Sequence, residues 1–200
     1  MEEGALIASA QKGDLEAFNQ LVLKYEQQAF RVALRITGEA GLAEDATQEG
    51  FIKAYRGLRS FRGGSFKAWI LRIVSNACYD EIRRLARKPA VSLDAENETE
   101  NEGPILWVED PGEKPEDWAA RLDLSKVIQV CIQELNRDFR DTLILIDVEG
   151  LNYAEAASAT DSAVGTIRSR LARARKQVRM CLQAAGELLP ENYRLEGEPR

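Results

Sequence analysis

Apolar residues recur every three or four positions along most of this 200-residue chain, and the recurrence breaks off for one long stretch, residues 88 to 116. A segment patterned in this way presents one apolar stripe, which must be buried against neighbouring helices. Before the break, Phe18, Leu21, Val22, Tyr25, Ala29, Val32, Ala33 and Ile36 form one stripe, with Gly38 suited to end it. A second stripe runs through Ala43, Ala46, Phe51, Ala54, Tyr55 and Leu58. A third, beginning after Ser65 as N-cap, runs through Phe66, Trp69, Ile70, Ile73, Val74, Ala77, Cys78, Ile82 and Leu85. After the break come four more helices. Leu122 to Leu135 carry the first and Phe139 to Ile146 the second. Asn152-Tyr153-Ala154-Glu155 reads as a capping box opening a short third helix, and Ser162 is placed to cap the last. Alternating strand patterns are absent. The expectation is an all-α protein of two small helical domains, residues 1–88 and 118–185. An acidic flexible linker, 89–117, joins them, and a tail, 186–200, shows no usable pattern.

The interruption is acidic as well as aperiodic. Residues 88–116 hold four prolines, and every charged residue from Asp94 to Asp117 is acidic except Lys114. Such a composition buries too little apolar surface to offset its ordering entropy. It therefore reads as a tether holding two modules apart, with Ile105-Leu106-Trp107-Val108 as an apolar island suited to packing on a neighbour or ordering on a partner. On either side the charge reverses. Lys53, Arg56, Arg59, Arg62, Lys67, Arg72, Arg83, Arg84, Arg87 and Lys88 crowd one block; Arg168, Arg170, Arg173, Arg175, Lys176 and Arg179 crowd the other. The net charge of -6 conceals this segregation, and local charge decides where a polyanion docks.

Several function classes are disfavoured. The chain has no histidine, and Cys78, Cys131 and Cys181 lie about fifty residues apart with no CxxC pair, so a Cys/His metal site and imidazole-based catalysis are not expected. Each cysteine reads as a small buried apolar residue. No catalytic residue, metal site or cofactor is expected. No stretch approaches the length of a membrane span, and the acidic N-terminus lacks the apolar core of a signal peptide, so the expected location is cytoplasmic.

In the second module, residues 153–159, the turn Thr160-Asp161-Ser162-Ala163 and the arginine-rich helix from Val164 describe a helix-turn-helix. Ala154, Ala156, Ala157 and Ala159 permit close helix approach. Thr166, Arg168, Ser169, Arg170 and Arg173 leave the apolar stripe and face outward, where arginines can read guanine edges in a major groove about 12 Å wide. Ser162, Thr166 and Ser169, near the helix N-terminus, suit phosphate contacts. The plainer reading of the same residues is a solvated cationic face.

Here the sequence resembles a known family. Glu149-Gly150-Leu151-Asn152-Tyr153-Ala154-Glu155-Ala156-Ala157, followed by Gly165-Thr166-Ile167-Arg168-Ser169-Arg170-Leu171-Ala172-Arg173-Ala174-Arg175, resembles region 4 of the extracytoplasmic-function sigma factors of bacterial RNA polymerase. In the first half, the segment Leu42 to Tyr55 resembles region 2.2, Phe61 to Ile70 region 2.3 and Ile73 to Arg84 region 2.4. The chain departs from the family pattern in having Thr160-Asp161-Ser162 where a glycine or proline is usual, Asn152 in place of serine, and Gly50 in place of a larger residue.

The resemblance implies three tasks. Asp45, Gln48, Glu49 and Ile52, at spacings that share one helix face, would bind core RNA polymerase at the clamp helices of its beta-prime subunit. Phe61, Arg62, Lys67, Arg72, Asn76, Tyr79, Asp80 and Arg83 would recognise and open the -10 promoter element. Unpaired bases would stack on aromatics and cations would hold the backbone; Phe61, in a loop, is the better stacking platform, while Phe66 and Trp69 fit the core. Ser162, Thr166, Arg168, Ser169, Arg170 and Arg173 would read the -35 element as duplex, and the beta flap of core polymerase is a further expected contact. The acidic linker would thread a cationic channel of the polymerase. An anti-sigma factor, often membrane-anchored, would hold the protein inactive. The rivals are a repressor or activator acting without polymerase, which leaves the first module's aromatics and acidic face idle, and an interaction module, which needs no pair of basic blocks.

Overall fold

The computed structural model describes residues 2–87 and 114–186. Most of the expected linker, including Ile105 to Val108, and most of the tail lie outside the described residues, which are helical without any strand. Four helices precede the gap: α1 (Glu3–Gln11), α2 (Leu15–Thr37), α3 (Ala40–Gly57) and α4 (Phe66–Ala86), with a 3-10 turn at Leu58–Ser60. Four follow: α5 (Pro115–Gln133), α6 (Arg137–Leu143), α7 (Tyr153–Thr160) and α8 (Val164–Ala184). Helix α5 opens inside the stretch read as linker. Helix α6 runs on as a π-helical turn, Ile144–Val148. Helix α1 was not foreseen; only Leu6 and Ala10 of it are buried, so its stripe is too thin to register.

The boundaries follow from local chemistry. The Ala17 amide donates to Asp14 at the start of α2, and Gly38 ends that helix at φ 77°, where a Cβ would be strained. The Ala68 amide donates to Ser65 Oγ at 3.2 Å. Asn152 and Glu155 form the expected reciprocal capping box on α7. One expectation fails: Ser162 does not cap α8. The N-cap is Ala163, without a side-chain bond, because Ser162 Oγ donates to the Thr160 carbonyl and accepts from Arg170. Asp161 fills a left-handed turn position between α7 and α8, at φ 53°.

In the first module, α2, α3 and α4 bury Leu21, Val32, Ile36, Phe66, Ile70, Leu71 and Val74. Gly50 is explained here. A Cβ on it would lie 2.7 Å from Val74 Cγ2 and 3.1 Å from Val74 Cα, so the glycine lets α3 and α4 approach closely. In the second, Ile144, Leu145, Ile167, Leu171 and Ala174 form the centre.

Two expectations about the whole are corrected. The modules are not held apart: α7 packs on α4 and α5 on α2, and the buried side chains of both halves form one continuous cluster. The cysteines are not three inert apolar residues. Cys131 on α5 and Cys181 on α8 are joined in a disulfide, with Cα atoms 5.7 Å apart across 50 residues. Cys78 alone matches the reading; it is buried, and burial pushes its thiol up to about 12.

Candidate promoter and polymerase interface

On α3, Asp45 and Gln48 are exposed, Glu49 is half-buried, and Ile52 is 45% exposed, large for an isoleucine. The spacing of the four residues sets them on one side of the helix, opposite the buried Ala43, Ala46, Gly50 and Ala54. Glu49 is 3.8 Å from Lys53. Beside Gln48 lies a shallow groove of about 310 Å³, lined by Glu26, Phe30, Glu44 and Thr47.

The residues assigned to the -10 element divide into two groups. Phe61 is half-buried in a ring cluster, edge-on to Phe66 with centroids 5.5 Å apart and tilted to Trp69 at 5.3 Å. Phe66 is a core residue, 1% exposed, while Trp69 is only half-buried. Arg62, Asp80 and Arg83 are exposed. The Asp80 carboxylate accepts from Lys53 at 3.1 Å and from Arg83, and the Lys53 bond chiefly holds its pKa below the ordinary value.

The other four are engaged by the second module. Lys67 Nζ donates to the Glu149 carbonyl at 2.6 Å. Arg72 reaches the Ser158 carbonyl at 3.4 Å and lies 4.0 Å from Asp161. Asn76 accepts from Arg137 at 2.7 Å. Tyr79, assigned to base recognition at the -10 element, is buried: its hydroxyl donates to Asp141 at 2.6 Å and the Arg137 guanidinium sits 4.1 Å from its ring centroid. The face of α4 does point away from the first module's own core, but α6 and α7 cover it. Burial, foremost, raises the pKa of both Tyr79 and Asp141.

Sequence reasoning missed the residues that carry this contact. Glu149 is buried and accepts two bonds from Arg31, at 3.0 and 3.2 Å. Gln129 accepts from Arg35 at 2.9 Å and donates to its carbonyl at 3.1 Å. Gln133 donates to the Thr37 carbonyl at 3.1 Å. A Glu among motif residues and two glutamines on a helix give no local sign of such partners.

On α8, Thr166, Arg168, Ser169 and Arg173 are exposed along one side while Ile167, Leu171 and Ala174 are buried. Arg168 lies 5.5 Å from the Tyr153 ring. Arg170 is half-buried, bonding Ser162 at 2.8 Å and pairing with Asp138. An apolar groove of about 430 Å³ runs between α5 and α8, floored by Leu143 and rimmed by Arg175 and Arg179.

The second helix of the helix-turn-helix thus presents an exposed arginine face, and the first module carries an acidic face and a ring cluster. Residues 21–88 match the family described as Sigma-70 region 2, and residues 125–178 match Sigma-70, region 4. The RNA polymerase sigma-H factor of Pseudomonas aeruginosa is 36% identical over 184 residues, covering 91% of this chain and 94% of that one. The chain is an extracytoplasmic-function sigma factor. The ECF RNA polymerase sigma-E factor of Escherichia coli K12 is 35% identical over 183 residues, covering 89% of this sigma factor and 93% of its relative. Among solved structures, the sigma factor RpoE of Bartonella quintana, in complex with the anti-sigma factor NepR, superposes with TM-score 0.62 and 26% identity, covering 82% of this chain and 96% of that one. CnrH, in complex with the cytosolic domain of CnrY, shares the fold at TM-score 0.66 and 24% identity, covering 90% and 96%. Among the described residues, no helix is long and apolar enough to cross a membrane.

Proposed function

We propose that this sigma factor joins core RNA polymerase through Asp45, Gln48, Glu49 and Ile52 on α3, against the beta-prime clamp helices. The apolar groove between α5 and α8 would take the beta flap. Residues 1–88 then act as region 2 and residues 118–185 as region 4, with 89–117 as the linker between them. At the promoter, Phe61, Arg62, Lys67, Arg72, Asn76, Tyr79, Asp80 and Arg83 engage the -10 element. Ser162, Thr166, Arg168, Ser169, Arg170 and Arg173 engage the -35 element. The protein works in the cytoplasm without catalytic chemistry of its own; nucleotide addition belongs to the polymerase. An anti-sigma factor opposes it, a reading supported by the relative solved with NepR.

The observation that carries this reading is the outward face of α8. Thr166, Arg168, Ser169 and Arg173 stand free of the core on a helix whose opposite side is fully packed, so they can enter a major groove without any rearrangement of region 4. Region 2 differs. Four of its eight promoter residues are held by region 4, so reading the -10 element requires the halves to part. Footprinting of a promoter by the sigma factor with core polymerase tests the division of labour. Arg168→Ala is expected to weaken protection upstream at -35, and Arg62→Ala to reduce melting at -10. Loss of both by either change would contradict separate tasks for the two modules.

A further inference from the structure

The Cys131–Cys181 bond has no part in the promoter reading, and its position points to another role. Cys131 lies between Ile128 and Ile132 on α5; Cys181 lies between Val178 and Leu182 on α8. Those four apolar residues form the facing walls of the groove between the two helices. The disulfide therefore ties one wall to the other. Beside it lie the buried Ile132 and the partly buried Ile128 and Val178. The buried residues of α8 are Ile167, Leu171 and Ala174, all in its first half. Beyond Ala174, Val178 and Leu182 are half-buried and Met180 is 58% exposed. The bidentate Arg175–Asp147 ion pair, at 2.9 and 2.6 Å, ties α8 to the π-helical turn and not to α5. Of the two cysteines, Cys131 is 1% exposed and Cys181 is half-buried beside a second, open groove formed with Glu134, Gln177 and Met180. A small thiol can therefore reach Cys181.

We propose that the Cys131–Cys181 pair is a redox latch that fixes the width of region 4's polymerase groove, so that oxidation favours association with core polymerase and reduction loosens it. This rests on the groove being the polymerase contact. In the reducing direction, the thiolate of a dithiol reductant attacks Cys181 Sγ and forms a mixed disulfide, expelling the Cys131 thiolate, which takes a proton. The second thiol of the reductant then displaces Cys181 as its thiol. Two electrons and two protons pass to the protein, and the reductant leaves as its own disulfide. The reverse exchange, with a disulfide oxidant, closes the latch. The buried Cys78, with its raised pKa, does not compete. Because the tie lies beyond Ala174, the DNA-facing residues 164–174 remain packed in both states.

The test compares the full chain oxidised by glutathione disulfide, the chain reduced by dithiothreitol, and Cys181→Ser. Amide exchange is read by mass spectrometry, and affinity for core polymerase by fluorescence anisotropy. Reduction is expected to speed exchange in 175–184 by about tenfold more than in 164–174, and to weaken polymerase binding by about tenfold. Cys181→Ser should match the reduced form with or without reductant. Equal exchange in the two states overturns the latch, as does a bond that survives millimolar glutathione. Unequal exchange with equal polymerase affinity overturns its control of association. Failure of both forms to bind polymerase overturns the polymerase reading instead, and the exchange data then still decide whether the groove is latched.

Discussion

Gly50 shows how a residue can look like a defect in sequence and be a requirement in space. A glycine within a helix costs about 1 kcal/mol relative to alanine, so helix propensity alone favours Gly50→Ala. The alanine Cβ would meet Val74 backbone and side chain, which are themselves buried and cannot retreat. Overpacking of this kind costs about 1–3 kcal/mol, so the variant is expected to unfold at a lower temperature than the parent, as calorimetry would show. Asp141 gives a residue-scale dependence on pH. Burial raises its folded pKa, with the Tyr79 hydroxyl and Arg137 offsetting only part. A carboxyl of raised pKa favours the folded state when protonated, and that advantage is lost as pH rises from its ordinary range through the raised value. Asp141→Asn removes the titration but keeps an oxygen for Tyr79. Its stability relative to the parent is therefore expected to increase between pH 4 and pH 7 in thermal melts; a constant difference would contradict the assigned shift. At the DNA face, Arg173→Ala is expected to weaken -35 duplex binding by about 1–3 kcal/mol in anisotropy titrations, with the melting temperature unchanged.

Among the elements, what the sequence made legible was what local chemistry decides. The Gly38 stop, the Ser65 cap and the Asn152–Glu155 box each depend on residues within four positions, and each stands where it was read. Helix α1 was missed because two buried residues make no periodicity. The Cys131–Cys181 bond was missed because helical cysteines fifty residues apart carry no spacing signature. Its effect on region 4 is checkable. Closing a loop of that length restricts the unfolded chain by about 4 kcal/mol in the loop-entropy picture, so reduction is expected to lower the denaturant midpoint of the second half of the protein markedly more than that of the first. Ser162 failed as a cap for a similar reason, since Arg170 competes for its hydroxyl from two turns along α8.

At the scale of the molecule, the acidic linker suggested separation, yet the two halves meet through Glu149, Gln129 and Asp141. Arg31 and Glu149 are 118 residues apart, and no one-dimensional pattern pairs them. The polar contact explains why both modules look self-sufficient in sequence: each has its own apolar stripes, and the seam between them is rich in ion pairs and amide bonds. Glu149→Ala leaves Arg31 without its two acceptors and is expected to weaken the closed arrangement by about 2–3 kcal/mol. X-ray scattering should then report a larger radius of gyration than for the parent. The same variant should capture -10 single strands more readily, because parting of the halves uncovers the face of α4 that carries Arg72, Asn76 and Tyr79. The most direct test of the whole reading is run-off transcription by core polymerase on a promoter library, with and without this protein. Discrete transcripts that require both the protein and the Arg168–Arg173 face of α8 are expected; a polymerase whose transcripts do not change when the protein is added would contradict it.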